Sequence, residues 1–188
     1  QYDGDTHMPA QFLVEPPNIN ETVGEYLIAA GLRTFAVSET QKYGHVTFFF
    51  NGNRSGYIDS KYEMYQEIPS DNVPFNEKPA MKAREITDAA IAAIHQGYDH
   101  VRLNLANGDM VGHTGQFEAA VDAVEAVDRA LGEIVKAVDE RSGLLVITAD
   151  HGNAEEMEIL NPKTGKLEIS AKHSLNPVPF LIHDSLFD

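Results

Sequence analysis

Cysteine is absent from this chain of 188 residues, and so is tryptophan. Without cysteine there is no disulfide framework, no thiolate metal site and no thiol nucleophile, a pattern that suits a reducing, cytoplasmic setting. Basic residues are scarce, 14 against 29 acidic ones, which leaves a formal charge of −15. Nucleic acids and anionic membrane surfaces both select a basic footprint, so the charge balance excludes them as main partners. Long apolar runs are missing as well. Val46–Phe50 and Leu144–Thr148 are far too short to span a bilayer. No basic and apolar leader precedes Gln1-Tyr2-Asp3, which reads as a processed chain or a piece of a longer one.

Hydrophobic residues supply 43% of the sequence, enough for a sizeable core. Residues 1–18 contain Pro9, Pro16 and Pro17 and no periodic pattern, so they read as a strap at a domain boundary. Thr22 followed by Glu25 has the spacing of a capping box, which predicts a helix over Val23–Ala30 closed by Gly31. Strands are predicted at Arg33–Val37 and His45–Phe50, and residues 51–78 read as an irregular excursion outside the core. A helix follows over 80–96, then a strand at Val101–Leu105 and a turn at Asn107-Gly108-Asp109. The strongest helical pattern runs from Phe117 through Val121, Val124, Val127, Leu131 and Ile134 to Val138. Leu144–Thr148 is an apolar run of strand length, as expected for a strand buried on both faces of a parallel sheet, and Val178–Ile182 is the last strand. Strands alternating with helices predict an α/β fold with a mainly parallel sheet.

Eight histidines are present, and their neighbours decide which matter. Asp109 and His113 stand at i, i+4, which on a helical turn sets a carboxylate and an imidazole side by side. The alternative is a helix cap and an incidental histidine. Asp150 and His151 follow the apolar strand at 144–148, and ligands of open sheets gather beyond the carboxyl ends of strands. Here the alternative is an aspartate that starts a turn. His173 lies in a loop that can reach the same edge. Carboxylates and imidazoles without sulfur suit Mn²⁺ or Zn²⁺ and argue against copper(I) or iron–sulfur chemistry. Lys42, in the loop after a predicted strand, is by default solvated, but beside a metal pair it could offset charge on a transferring phosphoryl group. Asn161–Lys166 and Asn51–Gly56 lack the spacing of a phosphate loop or a glycine-rich fingerprint.

Several stretches closely resemble the cofactor-independent phosphoglycerate mutases of the alkaline phosphatase superfamily. They are Ser38-Glu-Thr-Gln-Lys-Tyr-Gly-His45, Phe50–Gly56, Asn107-Gly-Asp-Met-Val-Gly-His-Thr-Gly115, Ile147-Thr-Ala-Asp-His-Gly-Asn-Ala-Glu155 and His173–Pro179. The resemblance implies an alkaline-phosphatase-like, mostly parallel sheet with helices on both faces, represented here by the C-terminal part of the phosphatase domain. Residues 1–17 would then be the end of the substrate domain and its hinge, and 18–188 the metal-binding part. It further implies interconversion of 3-phosphoglycerate and 2-phosphoglycerate in glycolysis through a phosphoserine intermediate, on two divalent metals, usually Mn²⁺, with Mg²⁺ or Co²⁺ as alternatives.

In that pattern Asp109, His113 and His173 match the ligands of one metal. Asp150 and His151 match half of the other set, and Lys42 matches the lysine set against the phosphoryl group. No segment matches the nucleophilic serine, so the chain is expected to be inactive without an N-terminal portion that completes the site. Two alternatives stand beside this reading: another metal-dependent phosphomutase, phosphatase or sulfatase of the superfamily, and a non-catalytic metal-binding module.

Overall fold

A computed structural model describes residues 11, 13–14, 19–170 and 172–184. The strap and hinge expected over 1–17 lie almost wholly outside the described residues. Helix α1 (Val23–Ala29) forms as the sequence predicts. The Thr22 hydroxyl accepts from the Glu25 amide at 3.3 Å, and Glu25 Oε2 accepts from the Thr22 amide at 2.9 Å. Gly31, at φ +75°, ends the helix with its amide on Ile28 O.

Strand β1 (Thr34–Glu39) is buried along its whole length and sits between β2 (Glu63–Ile68) and β3 (His100–Leu103), parallel to both. Helix α2 (Ala83–His95) lays Ile86, Ala90 and Ala93 on Phe35 and Val37 of β1. A second core forms where the short α3 (Asn107–Gly112) and the long α4 (Phe117–Asp139) meet. Val111, Ala120, Ala123, Met81 and Met157 close it. That second core is what holds α3, and with it Asp109 and His113, at the end of the β2-β1-β3 sheet.

Four expectations need correction. His45–Phe49 is a π-helical turn, not a strand. Val46 and Thr47 are buried side by side on this turn, and Arg102 Nε donates to Val46 O at 2.7 Å. Second, the excursion over 51–78 contains β2, which pairs with β1 residue for residue from Thr34↔Glu63 to Glu39↔Ile68. Third, Leu144–Thr148 (β4) is a strand, but among the described residues it has no parallel partner and is not buried on both faces. It pairs antiparallel with β7 (Phe180–Asp184), and Leu144, Val146, Phe180, Leu181 and Ile182 are all exposed. Fourth, the turn expected at Asn107-Gly108-Asp109 is the start of α3. A short hairpin, β5 (Glu158–Leu160) with β6 (Leu167–Ile169), was not anticipated. Its turn uses the Asn161–Lys166 segment.

Helix α4 spans the expected residues but buries an alanine face: Ala120, Ala123, Ala126, Ala130 and Ala137, with Ile134 and Val138. Phe117, Val121 and Val124 face outward. Small side chains let α4 approach α2 and α3 closely, and hydrophobicity alone would have chosen the valine stripe.

Candidate metal centre

The site begins at the end of β3. Asn107 is fully buried and its Nδ2 donates to Pro79 O at 2.8 Å, which pins the first turn of α3. Val111 turns into the core. The opposite side of the same turn then presents Asp109 and His113, one helical step apart, with the His113 amide on Asp109 O at 3.1 Å. His113 Nε2 lies 3.0 Å from Asp109 Oδ1. From a loop 60 residues away, His173 Nε2 comes to 3.2 Å from the same oxygen and 3.2 Å from His113 Nε2. The three atoms form a small triangle.

Lys42 reaches the other carboxylate oxygen. Its Nζ is 2.7 Å from Asp109 Oδ2, and both side chains are largely buried, 9% and 14% exposed. The Lys42 amide donates to Glu39 O at 3.0 Å, so the turn that closes β1 sets the lysine's starting point. Burial alone would raise the Asp109 pKa. The Lys42 ammonium, the Asn153 amide and His113 outweigh it and hold the carboxyl below its usual range.

The loop after β4 supplies the second group. Asp150 is exposed, with Oδ2 3.5 Å from His151 Nε2. The His151 ring stacks on His173 at 3.5 Å between centroids. Asp109, His151 and His173 each offer a ligand atom within 4.8 Å of the others. All five residues picked out as ligands therefore gather in one place, with Lys42 among them.

Three further residues belong to this site and escaped the reading of the sequence. Asn153 is buried, and its Nδ2 donates to Asp109 Oδ1 at 2.9 Å. The Glu155 carboxylate accepts from the Asn153 amide at 2.7 Å, from the Ser174 hydroxyl and from Asn176 Nδ2 at 3.2 Å. These donors, the Ser174 hydroxyl foremost, draw its pKa down to about 2. His45, one turn beyond Lys42, has its pKa lowered by burial and by the Lys42 charge, with Asp150 and Asp109 offsetting part of the effect. The polar density of Asp150-His-Gly-Asn-Ala-Glu155 was the available signal for Asn153 and Glu155.

The sequence pattern of the metalloenzyme superfamily matches residues 6–187. The chain belongs to this superfamily. It is 54% identical over 192 residues to the probable 2,3-bisphosphoglycerate-independent phosphoglycerate mutase 2 of Arabidopsis thaliana, with 97% of the chain and 34% of that relative covered. A 2,3-bisphosphoglycerate-independent phosphoglycerate mutase of Trypanosoma brucei brucei is 50% identical over 190 residues, with the same coverage on both sides. Among solved structures, a Leishmania mexicana phosphoglycerate mutase at low cobalt concentration superposes with a TM-score of 0.93 at 48% identity. All of this chain and 36% of that one are covered. The resemblance read from the motifs is thus borne out, as is the α/β fold, and the chain spans about a third of the length of these metalloenzyme-superfamily relatives.

Proposed function

We propose that this chain carries the metal-binding share of a cofactor-independent phosphoglycerate mutase. Asp109, His113 and His173 would hold one divalent metal, and Asp150 and His151 would contribute to a second. Mn²⁺ is the first choice for both, with Mg²⁺ and Co²⁺ as alternatives. The observation that carries this reading is the triangle of Asp109 Oδ1, His113 Nε2 and His173 Nε2, with sides of 3.0 to 3.2 Å. Ligand atoms about 2.1 Å from a common ion stand roughly 3 Å apart at a right angle. Protons satisfy the triangle poorly. If both nitrogens donate to Oδ1, two N–H groups crowd each other across 3.2 Å, whereas an ion accepts all three lone pairs. The relatives are mutases by name, one of them described with cobalt, which agrees with this donor set.

When bound, the metals would supply Lewis-acid stabilisation of phosphoryl oxygens and lower the pKa of an attacking hydroxyl. The chain's own residues do the rest. Lys42 keeps one N–H on Asp109 Oδ2 and has two left for the phosphoryl oxygens of 3-phosphoglycerate or 2-phosphoglycerate. With the metals bound, Lys42 would help concentrate positive potential locally, which lets an anionic substrate approach a protein of charge −15.

The nucleophilic serine and the groups that grip the glycerate would come from an N-terminal portion that also completes the sheet. Among the described residues, β3 and β4 each have a strand on one side only, which leaves room for that portion. The same open strands weigh against a stand-alone binding module. A cytoplasmic location follows from the glycolytic role.

The test is a mutase assay on the full-length protein. Lys42→Met should lower kcat by about 100-fold or more, and the 188-residue chain alone should show no turnover. Turnover by the isolated chain, or an unchanged kcat in Lys42→Met, would contradict the proposal.

A further inference from the structure

Resting on that reading, we infer that Asn153 is a positioning residue of the metal centre: it fixes the Asp109 carboxylate and sets the spacing between the two ligand groups. Four observations meet at this side chain. Asn153 is 4% exposed although it is polar. Its Nδ2 donates to Asp109 Oδ1 at 2.9 Å and lies 3.3 Å from Asp109 O, so it grips both the carboxylate and the backbone of one residue. Its Oδ1 is buried and has no partner among the described residues. A buried amide that leaves its oxygen unpaired is being held in place for the sake of its nitrogen. Rotating the amide by 180° would put Oδ1 against Asp109 Oδ1, oxygen on oxygen, so the orientation is determined by the carboxylate.

The fourth observation is Gly112. A Cβ at this position would collide with Asn153 Oδ1 and stand 3.0 Å from its Cγ. Gly112 has an ordinary helical backbone and is not on the positive-φ side, so the glycine serves the close approach of the amide and not a turn. Position 112 and position 153 are one fitted pair, and they join α3 to the loop after β4.

Asn153 also sits two residues past His151, and its own amide is held by Glu155, whose carboxylate clasps Ser174 and Asn176 beside His173. A single turn, 151–155, therefore ties together all three chain segments that bring ligands. With Lys42 on Oδ2 and Asn153 on Oδ1, the carboxylate of Asp109 cannot rotate, and the remaining lone pair of Oδ1 points to His113 and His173. Outer partners of this kind commonly govern affinity as strongly as the ligands' own surroundings do.

The test measures Mn²⁺ affinity by calorimetry, and the d–d spectrum with Co²⁺, in the wild-type chain, Asn153→Ala and Asn153→Asp. The inference predicts Mn²⁺ binding weakened by about 10- to 100-fold in both variants. It also predicts an altered Co²⁺ spectrum, a signature that a loss of packing alone would not produce. Affinity and spectrum unchanged in a folded variant would overturn the positioning role and leave the metal reading standing. No Mn²⁺ binding by the wild-type chain would overturn the metal reading itself. If neither variant folds, the wild-type chain decides by NMR. The Asn153 side-chain amide protons should resist solvent exchange and shift on addition of Zn²⁺. Fast exchange and no shift on addition would refute the inference.

Discussion

Asp109 answers to four groups at once: Lys42, Asn153, His113 and His173. Its backbone is fixed by a helix of six residues, which the buried Asn107, Val111 and Gly112 seat in the fold. At this scale the sequence was partly legible. The i, i+4 spacing of Asp109 and His113 announces a shared face, and a loop position allowed His173 to reach the same edge, but its pairing with Asp109 and His113 from 60 residues away came from the family resemblance.

A different residue gives a prediction in pH. His100 starts β3, its Nδ1 is buried with no partner among the described residues, and burial followed by the Arg102 charge lowers its pKa below 6.5. A histidine with a depressed folded pKa takes up its proton more readily when unfolded. Its contribution to stability is therefore complete above about pH 6.5 and is lost as the pH falls through the folded-state value. His100→Gln, which cannot titrate, should give a shallower slope of unfolding free energy against pH between about 5 and 7, measured by urea titration at each pH. An unchanged slope would mean that His100 does not stay neutral in the folded chain.

Among the elements, those with a local signal were legible and those shaped by tertiary contacts were not. The capping box of α1 and the length of α4 follow from the residues themselves. The π-helical turn at His45–Phe49 is built of strand-forming side chains, so propensity pointed the other way and the buried Val46–Thr47 pair prevailed. Strand β2 was hidden because it is an edge strand with two glutamates and a glutamine, and therefore without a continuous apolar pattern.

Helix α4 supplies the sharpest test at this scale. Ala123 is fully buried and Val124 is 51% exposed. Ala123→Leu should destabilise by roughly 1–3 kcal/mol through overpacking, while Val124→Thr should stay within about 0.5 kcal/mol. Urea midpoints measure both. The reverse order would restore the valine face to the core.

Seen whole, the chain has a well-covered half and a bare half. β1 is enclosed by β2, β3 and α2, whereas β4 and β7 leave Leu144, Val146, Phe180, Leu181 and Ile182 exposed. The apolar content of β4 was legible, but its expected burial requires strands and helices that the described residues do not supply. The candidate metal centre straddles the two halves. Asp109 and His113 come from the covered side, and Asp150, His151 and His173 from loops attached to the bare side, joined through Asn153 and Glu155. Metal binding should accordingly stabilise the chain by adding a bond between these parts.

The central claim is that Asp109, His113 and His173 are assembled here into a ligand set. Its most direct test is Mn²⁺ stoichiometry and affinity by calorimetry, on this chain and on His113→Ala. The account predicts one tight site in the wild-type chain, abolished by the substitution, with the second metal awaiting ligands from elsewhere in the protein. Absence of specific binding in a chain shown by circular dichroism to be folded, or equal affinity in His113→Ala, would contradict it.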